Sequence, residues 1–172
     1  MTTRVLIVDG YNVLHSSGRY RSLLESDPEM ARAALVADVA ACAEPGSKSI
    51  VVFDGGANPG SDGAPHHLAG LIVLFSPYGR DADTVVEGLA RRGRDRGEDV
   101  VVVTSDAATQ WTVMGEGVTR MSAAEFASSL ETGSALWRAH TPSGSGKVTL
   151  DARIDPTVAD KMARWARGRD PA

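Results

Sequence analysis

The sequence is poor in cysteine, in long apolar runs and in aromatic residues, and the first two shortages exclude whole classes of protein. Its 172 residues include one cysteine, so no disulfide can form within the chain. The longest apolar run, residues 99–104, falls far short of the roughly 20 residues that span a bilayer. The apolar run 4–8 is too short for a signal peptide. We therefore expect a cytoplasmic protein in a reducing compartment, with no membrane partner.

An excess of positive charge is also missing. The chain has 18 Lys and Arg against 22 Asp and Glu, a net charge of −4. A protein that coats nucleic acid indiscriminately would be basic. Apolar residues make up 42% and charged residues 23%, as in an ordinary globular domain, which excludes a fibrous or wholly disordered chain. The acidic balance still suits an enzyme that holds a metal ion with carboxylates.

Strand-like and helix-like segments alternate along the chain. Continuous apolar runs predict buried strands at 4–8, 49–53, 71–75 and 100–103. Capping residues and apolar spacing predict helices at 28–42 and 81–94. Uniformly apolar strands between helices are typical of a parallel sheet that is covered on both faces. The fold class that we expect is α/β, a three-layer sandwich around a central, mostly parallel sheet.

The remaining segments are predicted from weaker patterns. They are a flexible, glycine-rich loop at 55–70, a short helix from Ala107, a strand near 118–119, a helix from Ser122 to about Trp137 and a C-terminal helix at 156–168. A stretch rich in Ser, Gly and Pro at 140–147 resembles a linker. We expect one domain at 1–140, to which a linker and the C-terminal helix at 141–172 are appended.

Acidic residues cluster at one predicted edge of the sheet. Asp9, Asp54 and Asp106 each follow or end a strand, and Asp83 and Glu87 lie one turn apart on the 81–94 helix. The carboxyl ends of parallel strands meet at one edge, so these side chains are expected to lie close together. Clustered carboxylates raise one another's pKa unless a cation balances them. Oxygen ligands without a Cys or His framework favour Mg²⁺ or Mn²⁺.

Most of these side chains also have a simpler interpretation. A single aspartate after a strand is commonly a turn residue, and an acid in a first helical turn is favoured by the helix dipole. Asp81 is better explained as a helix cap. Asn12 either orients a ligand or caps a helix or turn, and Ser105 either serves the site or caps the next helix. From the residues alone, these alternatives stay open.

Five motifs in the expected order resemble the YacP-like branch of the NYN domains. They are Ile7–Leu14, Val51–Gly55, Val73–Ser76, Gly79–Glu87 and Val102–Asp106. The tail at 150–156 is also similar to this branch, so the resemblance extends over nearly the whole chain. NYN domains belong to the PIN/FEN-like superfamily of metal-dependent nucleases.

The resemblance implies an endoribonuclease that uses Mg²⁺ or Mn²⁺ to cleave RNA phosphodiester bonds. By position, the implied catalytic residues are Asp9, Asn12, Asp83 and Asp106. Asp9, Asp83 and Asp106 would be the main metal ligands, with Asp54 and Glu87 as secondary candidates. Some members of the branch are thought to cleave mRNA on the ribosome, so the translating ribosome is an implied partner besides RNA.

Basic residues near the motifs are candidate RNA ligands. Arg80 lies next to the acids, Arg19 follows the first motif, and Arg91 belongs to a group of arginines near the end of the 81–94 helix. With Ser105, these residues form the predicted RNA contacts. The alternatives are a solvated loop for Arg19 and favourable interaction with the helix dipole for Arg91.

Two other functions remain open at this point. A non-catalytic RNA-binding module would keep the fold without cleaving, although such a module has no use for repelling carboxylates. A metal-dependent phosphatase that acts on a small substrate would need a closed pocket, whereas a nuclease needs an open groove with a basic rim. The shape of the site therefore distinguishes a phosphatase from a nuclease.

Overall fold

A computed structural model describes residues 2–105, 117–133 and 156–167 of the chain. Within these residues, six strands form a single sheet. They are β1 (Arg4–Asp9), β2 (Lys48–Phe53), β3 (His66–Leu68), β4 (Leu71–Phe75), β5 (Asp99–Thr104) and β6 (Val118–Ser122). The order across the sheet is β3-β4-β2-β1-β5-β6, and every pairing is parallel except that of β3 with β4. The expected mostly parallel sheet is confirmed.

Helices cover both faces of the sheet. They are α1 (Gly10–Ser16), α2 (Gly18–Ser26), α3 (Pro28–Cys42), α4 (Ala82–Asp95), α5 (Ala123–Thr132) and α6 (Pro156–Ala166). Because successive side chains of a strand point to opposite faces, Leu6 and Val8 of β1 enter one apolar cluster while Val5 and Ile7 enter another. The first cluster packs against α1, α2, α3, α5 and α6, and the second packs against α4. The three layers follow directly from this alternation.

Helix caps explain where the helices begin. Asp27 accepts hydrogen bonds from the backbone N–H groups of Glu29 and Met30, with Pro28 opening α3. Asp81 likewise accepts from the backbone N–H of Thr84 at the start of α4. Such caps stabilise a helix by about 1 kcal/mol each. Both starts agree with the sequence-based prediction.

The structure corrects two predicted segments. The helix that was predicted to run to about Trp137 ends at Thr132, because Gly133 adopts a left-handed conformation with φ 61° that terminates it. The glycine-rich stretch at 55–70 is not all loop, since β3 adds an antiparallel edge strand there. The predicted short helix from Ala107 and the linker at 140–147 lie outside the described residues.

Helices α1 and α2 were not anticipated from the sequence. Their segment, 10–26, begins with a glycine and carries polar residues at most positions, so its apolar periodicity is weak. Tyr20 on α2 is fully buried and donates its hydroxyl to Asp38 of α3. A Cβ at Gly10 would collide with the ring of Phe53. The Tyr20–Asp38 bond and the close approach of Gly10 to Phe53 show that the helical segment packs tightly against the rest of the domain.

The C-terminal helix packs onto the main body. Met162 and Ala163 of α6 are buried, and α6 lies against α3. Arg167, just beyond α6, pairs with Glu29 at 2.8 Å. No helix in the described part of the chain is both long enough and apolar enough to span a bilayer.

Candidate active site

Carboxylates and polar side chains gather where neighbouring parallel strands end. Asp9 is the last residue of β1, Asp54 follows β2, and Thr104 is the last residue of β5. Since β1 pairs in parallel with both β2 and β5, these three residues lie at the same edge of the sheet. Asp83 comes to this edge from the first turn of α4. In open α/β sheets, this is the edge at which ligand sites form.

Asp9 is a buried carboxylate that lies close to a second one. It is 5% exposed and accepts a hydrogen bond from the backbone N–H of Asn12 at 3.2 Å. Burial is the main cause that raises the pKa of Asp9 to about 7. The Asp83 carboxyl, close enough to share a proton, and the charge of Asp54 raise this pKa further. The structure thus brings together three of the sequence-predicted acids.

Asn12 lies between the ends of two strands. Its side-chain Nδ2 donates to the Oγ1 of Thr104 at 3.2 Å, while its backbone bonds to Asp9. The bond from Nδ2 to Thr104 therefore fixes the orientation of the Asn12 side-chain amide. The sequence predicts a site role for Asn12 but none for Thr104, which is buried at the end of β5 within the motif Val102–Asp106.

Asp54 is held by local hydrogen bonds. Its Oδ1 accepts from the backbone N–H of Gly56 at 2.8 Å and from the hydroxyl of Ser76 at 3.2 Å. Ser76 is itself fully buried and accepts from the backbone of Gly55. The carboxylate is thereby both a turn residue and a contributor to the negative field at Asp9. These contacts confirm the turn interpretation of Asp54, and its role as a metal ligand stays a prediction.

Two other predicted residues pair with each other. Glu87 forms an ion pair with Arg91 on the exposed surface of α4, with 3.0 Å between Oε1 and Nη2. An exposed pair of this spacing contributes only about 0.3–0.5 kcal/mol. Asp83 and Asp54, and not Glu87, are the carboxyls that raise the pKa of Asp9. Glu87 and Arg91 are thus engaged with one another on the surface of α4.

The remaining predicted residues occupy different surroundings. Arg80 is exposed and lines a groove beside Asp54. Arg19 pairs with the buried Asp38 at 3.4 Å and faces the ring of Tyr20. Ser105 accepts, through its backbone carbonyl, a hydrogen bond from Arg120 at 2.8 Å. Asp106 lies outside the described residues, directly after Ser105 in the chain.

A broad, open groove runs beside the acidic edge. Its lining consists of Tyr11, Arg32, residues 54–58, Phe75, residues 79–81 and Ala166. Arg32 and Tyr11 were not anticipated as site residues, and Ala166 belongs to the C-terminal helix. A signal for Arg32 was present, because a lone arginine stands among the buried alanines of α3. The groove is open, which suits an extended polymer better than a small enclosed substrate.

The carboxylates of the site are the type of ligand that a hard divalent cation prefers, but the described residues supply fewer of them than the three that the sequence predicts. Asp9 and Asp83 offer carboxylate oxygens, and none of the ion pairs found among the described residues involves either of them. In the described ranges, no group of three or more His, Cys, Asp or Glu side chains forms a metal cluster. The third ligand predicted from the sequence, Asp106, lies outside those ranges. An oxygen-only donor set matches Mg²⁺ or Mn²⁺.

Comparison with known proteins places the whole domain in one family. A family model for the YacP-like NYN domain matches residues 6–167. The uncharacterized protein YacP of Bacillus subtilis (strain 168) is 28% identical over 170 residues, which cover 95% of this chain and 97% of the relative.

Two crystal structures of Rae1 (YacP) from Bacillus subtilis are similar to this structure. One, of a mutant, is 31% identical with a TM-score of 0.60 and covers 77% of this chain and 76% of its own. The other is 30% identical with a TM-score of 0.59 and covers 74% of each chain. The similarity to these structures includes both sequence and fold.

Proposed function

The chain belongs to the YacP-like NYN domain family, and from this premise we propose that it is a metal-dependent endoribonuclease that cleaves RNA phosphodiester bonds. NYN domains are part of a nuclease superfamily, which supports a nuclease-type role on RNA. The cleavage reaction, the use of Mg²⁺ or Mn²⁺ and RNA as the substrate are the specific parts of the proposal.

The observation that carries the proposal is the close approach of the exposed Asp83 carboxylate to the buried carboxylate of Asp9. Two carboxylates that are close enough to share a proton, with a third at Asp54, repel one another when all are ionised. A fold gains nothing from this repulsion unless a cation balances it. A pure RNA-binding module would also repel its own ligand at this edge, so the pair favours catalysis.

Different residues of the site would hold the cation, orient a ligand and bind the RNA strand. Asp9 and Asp83, with Asp106, would hold the cation, and Asn12 would orient a ligand through its bond to Thr104. The open groove would hold the RNA strand, and Arg80 at its rim would bind a phosphate. A bound divalent cation lowers the pKa of water and stabilises negative charge on the phosphate oxygens.

We extend the proposal to RNA on the translating ribosome, with a cytoplasmic location. The family resemblance supports this extension, and no side chain of the site argues for or against it. The open shape of the groove is consistent with a strand that enters from a larger assembly, and it speaks against a phosphatase pocket for a small substrate.

RNA end mapping tests the proposal. Wild type, Asp9→Asn, Asp83→Asn and Asp106→Asn would be compared in an active translation extract with Mg²⁺ and on naked RNA with Mn²⁺. We expect discrete cuts by the wild type and a loss of about a hundredfold or more in each variant. Asp95→Asn is the matched control, because Asp95 is an exposed acid at the other end of α4, paired with Arg94.

The outcomes separate the candidate functions. Cuts that persist in Asp95→Asn and vanish in Asp83→Asn support the nuclease. RNA that is retained on the wild type but never cut in either setting overturns catalysis and leaves the binding module. Cuts only in the extract show that the ribosome is required, whereas cuts on naked RNA alone overturn the ribosomal extension.

A further inference from the structure

Arg32 is a buried cation in an apolar helix. It lies on α3 between Ala31 and Ala33 and is only 7% exposed, while both neighbours are almost completely buried. An arginine at such a position loses most of its hydration. Burial of a charge is unfavourable unless a partner of opposite charge or a full set of hydrogen bonds compensates it.

Among the described residues, the contacts of Arg32 leave its charge without a counter-ion. Its Nη1 donates to the hydroxyl of Tyr11 at 3.0 Å, and its guanidinium carbon lies 6.0 Å from the centre of the Phe75 ring. The Nε is buried and has no hydrogen-bond partner. None of the ion pairs in the described part of the chain includes Arg32. A neutral phenol and an aromatic face are weak compensation for a desolvated guanidinium.

Arg32 faces the groove and not the closed core. Together with Tyr11 and Phe75 it forms part of the groove lining, on which Asp54 and the exposed Arg80 also lie. Tyr11 is two residues after Asp9, so the guanidinium is tied to the same helix that Asp9 caps. The groove therefore combines a carboxylate edge with a buried, partly unpartnered cation.

The end of helix α6 forms one wall of this part of the groove. Asn58, in the groove lining, donates its side-chain amide to the backbone carbonyl of Ala166 at the end of α6. The ring of Trp165 stacks on His66 with 4.3 Å between the ring centres. These contacts hold the wall in place, so the groove near Arg32 is preorganised for its ligand.

We propose that Arg32 binds a phosphate of the RNA strand, at a subsite separate from the carboxylate edge where cleavage takes place. A guanidinium presents planar donors that match two phosphate oxygens, and a charge-assisted bond of this kind would supply the counter-charge that the described contacts of Arg32 lack. Tyr11 is a positioning residue, because its hydroxyl fixes Nη1 without contacting the phosphate. The proposal rests on the proposed function in that its ligand is the substrate strand.

Binding measurements test the subsite independently of cleavage. A short fluorescein-labelled single-stranded RNA would be titrated by fluorescence anisotropy in the Asp83→Asn background over a series of salt concentrations. We expect Arg32→Met to weaken binding about tenfold or more. The slope of log affinity against log salt should become shallower by about 0.7, the value for one lost phosphate contact on a single strand.

Matched variants separate binding from packing. Arg96→Gln removes one positive charge at the far end of α4, where Arg96 pairs with Glu98, and should leave affinity unchanged. Arg32→Lys keeps the charge and should preserve the salt slope while losing part of the affinity, since it lacks the planar fork. Tyr11→Phe should weaken binding less than Arg32→Met. Because Arg32→Met removes an uncompensated buried charge, its melting temperature should equal or exceed that of the parent.

Several results would overturn the subsite. One is a folded Arg32→Met variant that binds RNA with unchanged affinity and salt slope. If Arg32→Met fails to fold, Arg32→Lys takes its place in the test. A folded Arg32→Lys variant whose salt slope is shallower by about 0.7, the change expected for Arg32→Met, also contradicts the proposal. A third result is that inorganic phosphate stabilises the wild type but not Arg32→Met, while both proteins bind RNA equally well. The site would then be one for free phosphate.

The two proposals fail separately. RNA cleavage that continues at the wild-type rate in Arg32→Met overturns the subsite and leaves the nuclease intact. RNA binding that depends on Arg32, in a protein that cuts no RNA in any setting, overturns the nuclease and leaves the subsite. Measuring affinity and cleavage on the same variants therefore assigns each result to one proposal.

Discussion

The side-chain amide of Asn12 donates a hydrogen bond to the buried hydroxyl of Thr104 over 3.2 Å, which ties helix α1 to the last residue of strand β5. The backbone N–H of the same asparagine bonds to Asp9 at the end of β1. One residue thus connects two adjacent strand ends. The position of the amide relative to the carboxylate depends on both contacts.

Replacing Thr104 by valine should lower the free energy of unfolding by about 1 kcal/mol, because valine keeps the shape but leaves the Asn12 amide without its acceptor. RNA cleavage should fall as well, but by less than in Asp83→Asn. Chemical denaturation and cleavage rates measure the two effects. Thr119→Val, at an exposed position of β6, is the control and should change neither. Wild-type stability and rate in Thr104→Val would show that this bond is dispensable.

The raised pKa of Asp9 predicts a pH-dependent stability for the metal-free protein. Its pKa is about 7 in the folded chain against 3.8 for the free side chain. Between these values the folded state holds a proton that the unfolded state has lost, so this group's contribution to stability declines as pH rises through the window. Above about pH 7 the loss is complete.

Asp9→Asn removes this titration. In the presence of a chelator, the variant should therefore become more stable relative to wild type as pH rises from about 4 to 7. Thermal unfolding at a series of pH values measures the difference. Asp62→Asn, at an exposed loop position, serves as the control and should follow the wild-type profile. Parallel curves for wild type and Asp9→Asn would contradict the shift.

Addition of Mg²⁺ or Mn²⁺ should raise the melting temperature of the wild type, because a ligand that binds only the folded state stabilises it. At a hundredfold excess over Kd the gain is about 2.7 kcal/mol. Asp9→Asn and Asp83→Asn should lose most of this gain, whereas Asp95→Asn should keep it. A metal-induced shift that is equal in all four proteins would place the cation elsewhere.

Two helical glycines should respond to alanine in opposite directions. Gly10→Ala should destabilise the protein by about 1–3 kcal/mol, because its new Cβ would overlap the Phe53 ring. Gly88→Ala, within α4, meets only the end of the Arg92 side chain at 3.6 Å and should stabilise by about 0.5–1 kcal/mol through helix propensity. Urea unfolding of both variants tests the pair, and equal effects would contradict the packing argument.

Much of the fold was predictable because its signals are local. The strands β1, β2, β4 and β5 are continuous apolar runs, and α3 and α4 begin at aspartate caps that are visible in the sequence. Helix α2 was not predictable in this way. Its segment carries few apolar residues, and it is held by contacts with α3, where Tyr20 meets Asp38.

The candidate site divides in the same manner. The proximity of Asp9 and Asp54 follows from parallel strands that end at one edge, so strand prediction was sufficient for it. The pairing of Arg19 with Asp38 was not visible, because it joins two helices whose packing no local pattern encodes. The alternative of a solvated loop for Arg19 is wrong, because Arg19 lies on helix α2.

By itself, the sequence determined the alternation of apolar runs and caps, and with it the parallel sheet and the edge where acids collect. These features depend on interactions within a few residues. Only the tertiary structure decided that Asp9 is buried beside Asp83 and that Arg32 faces the groove with no counter-ion in the part of the chain that the structure describes. Burial and the distances between charges arise from the packing of elements distant in the chain, and the energies of carboxylates and guanidinium groups depend on both.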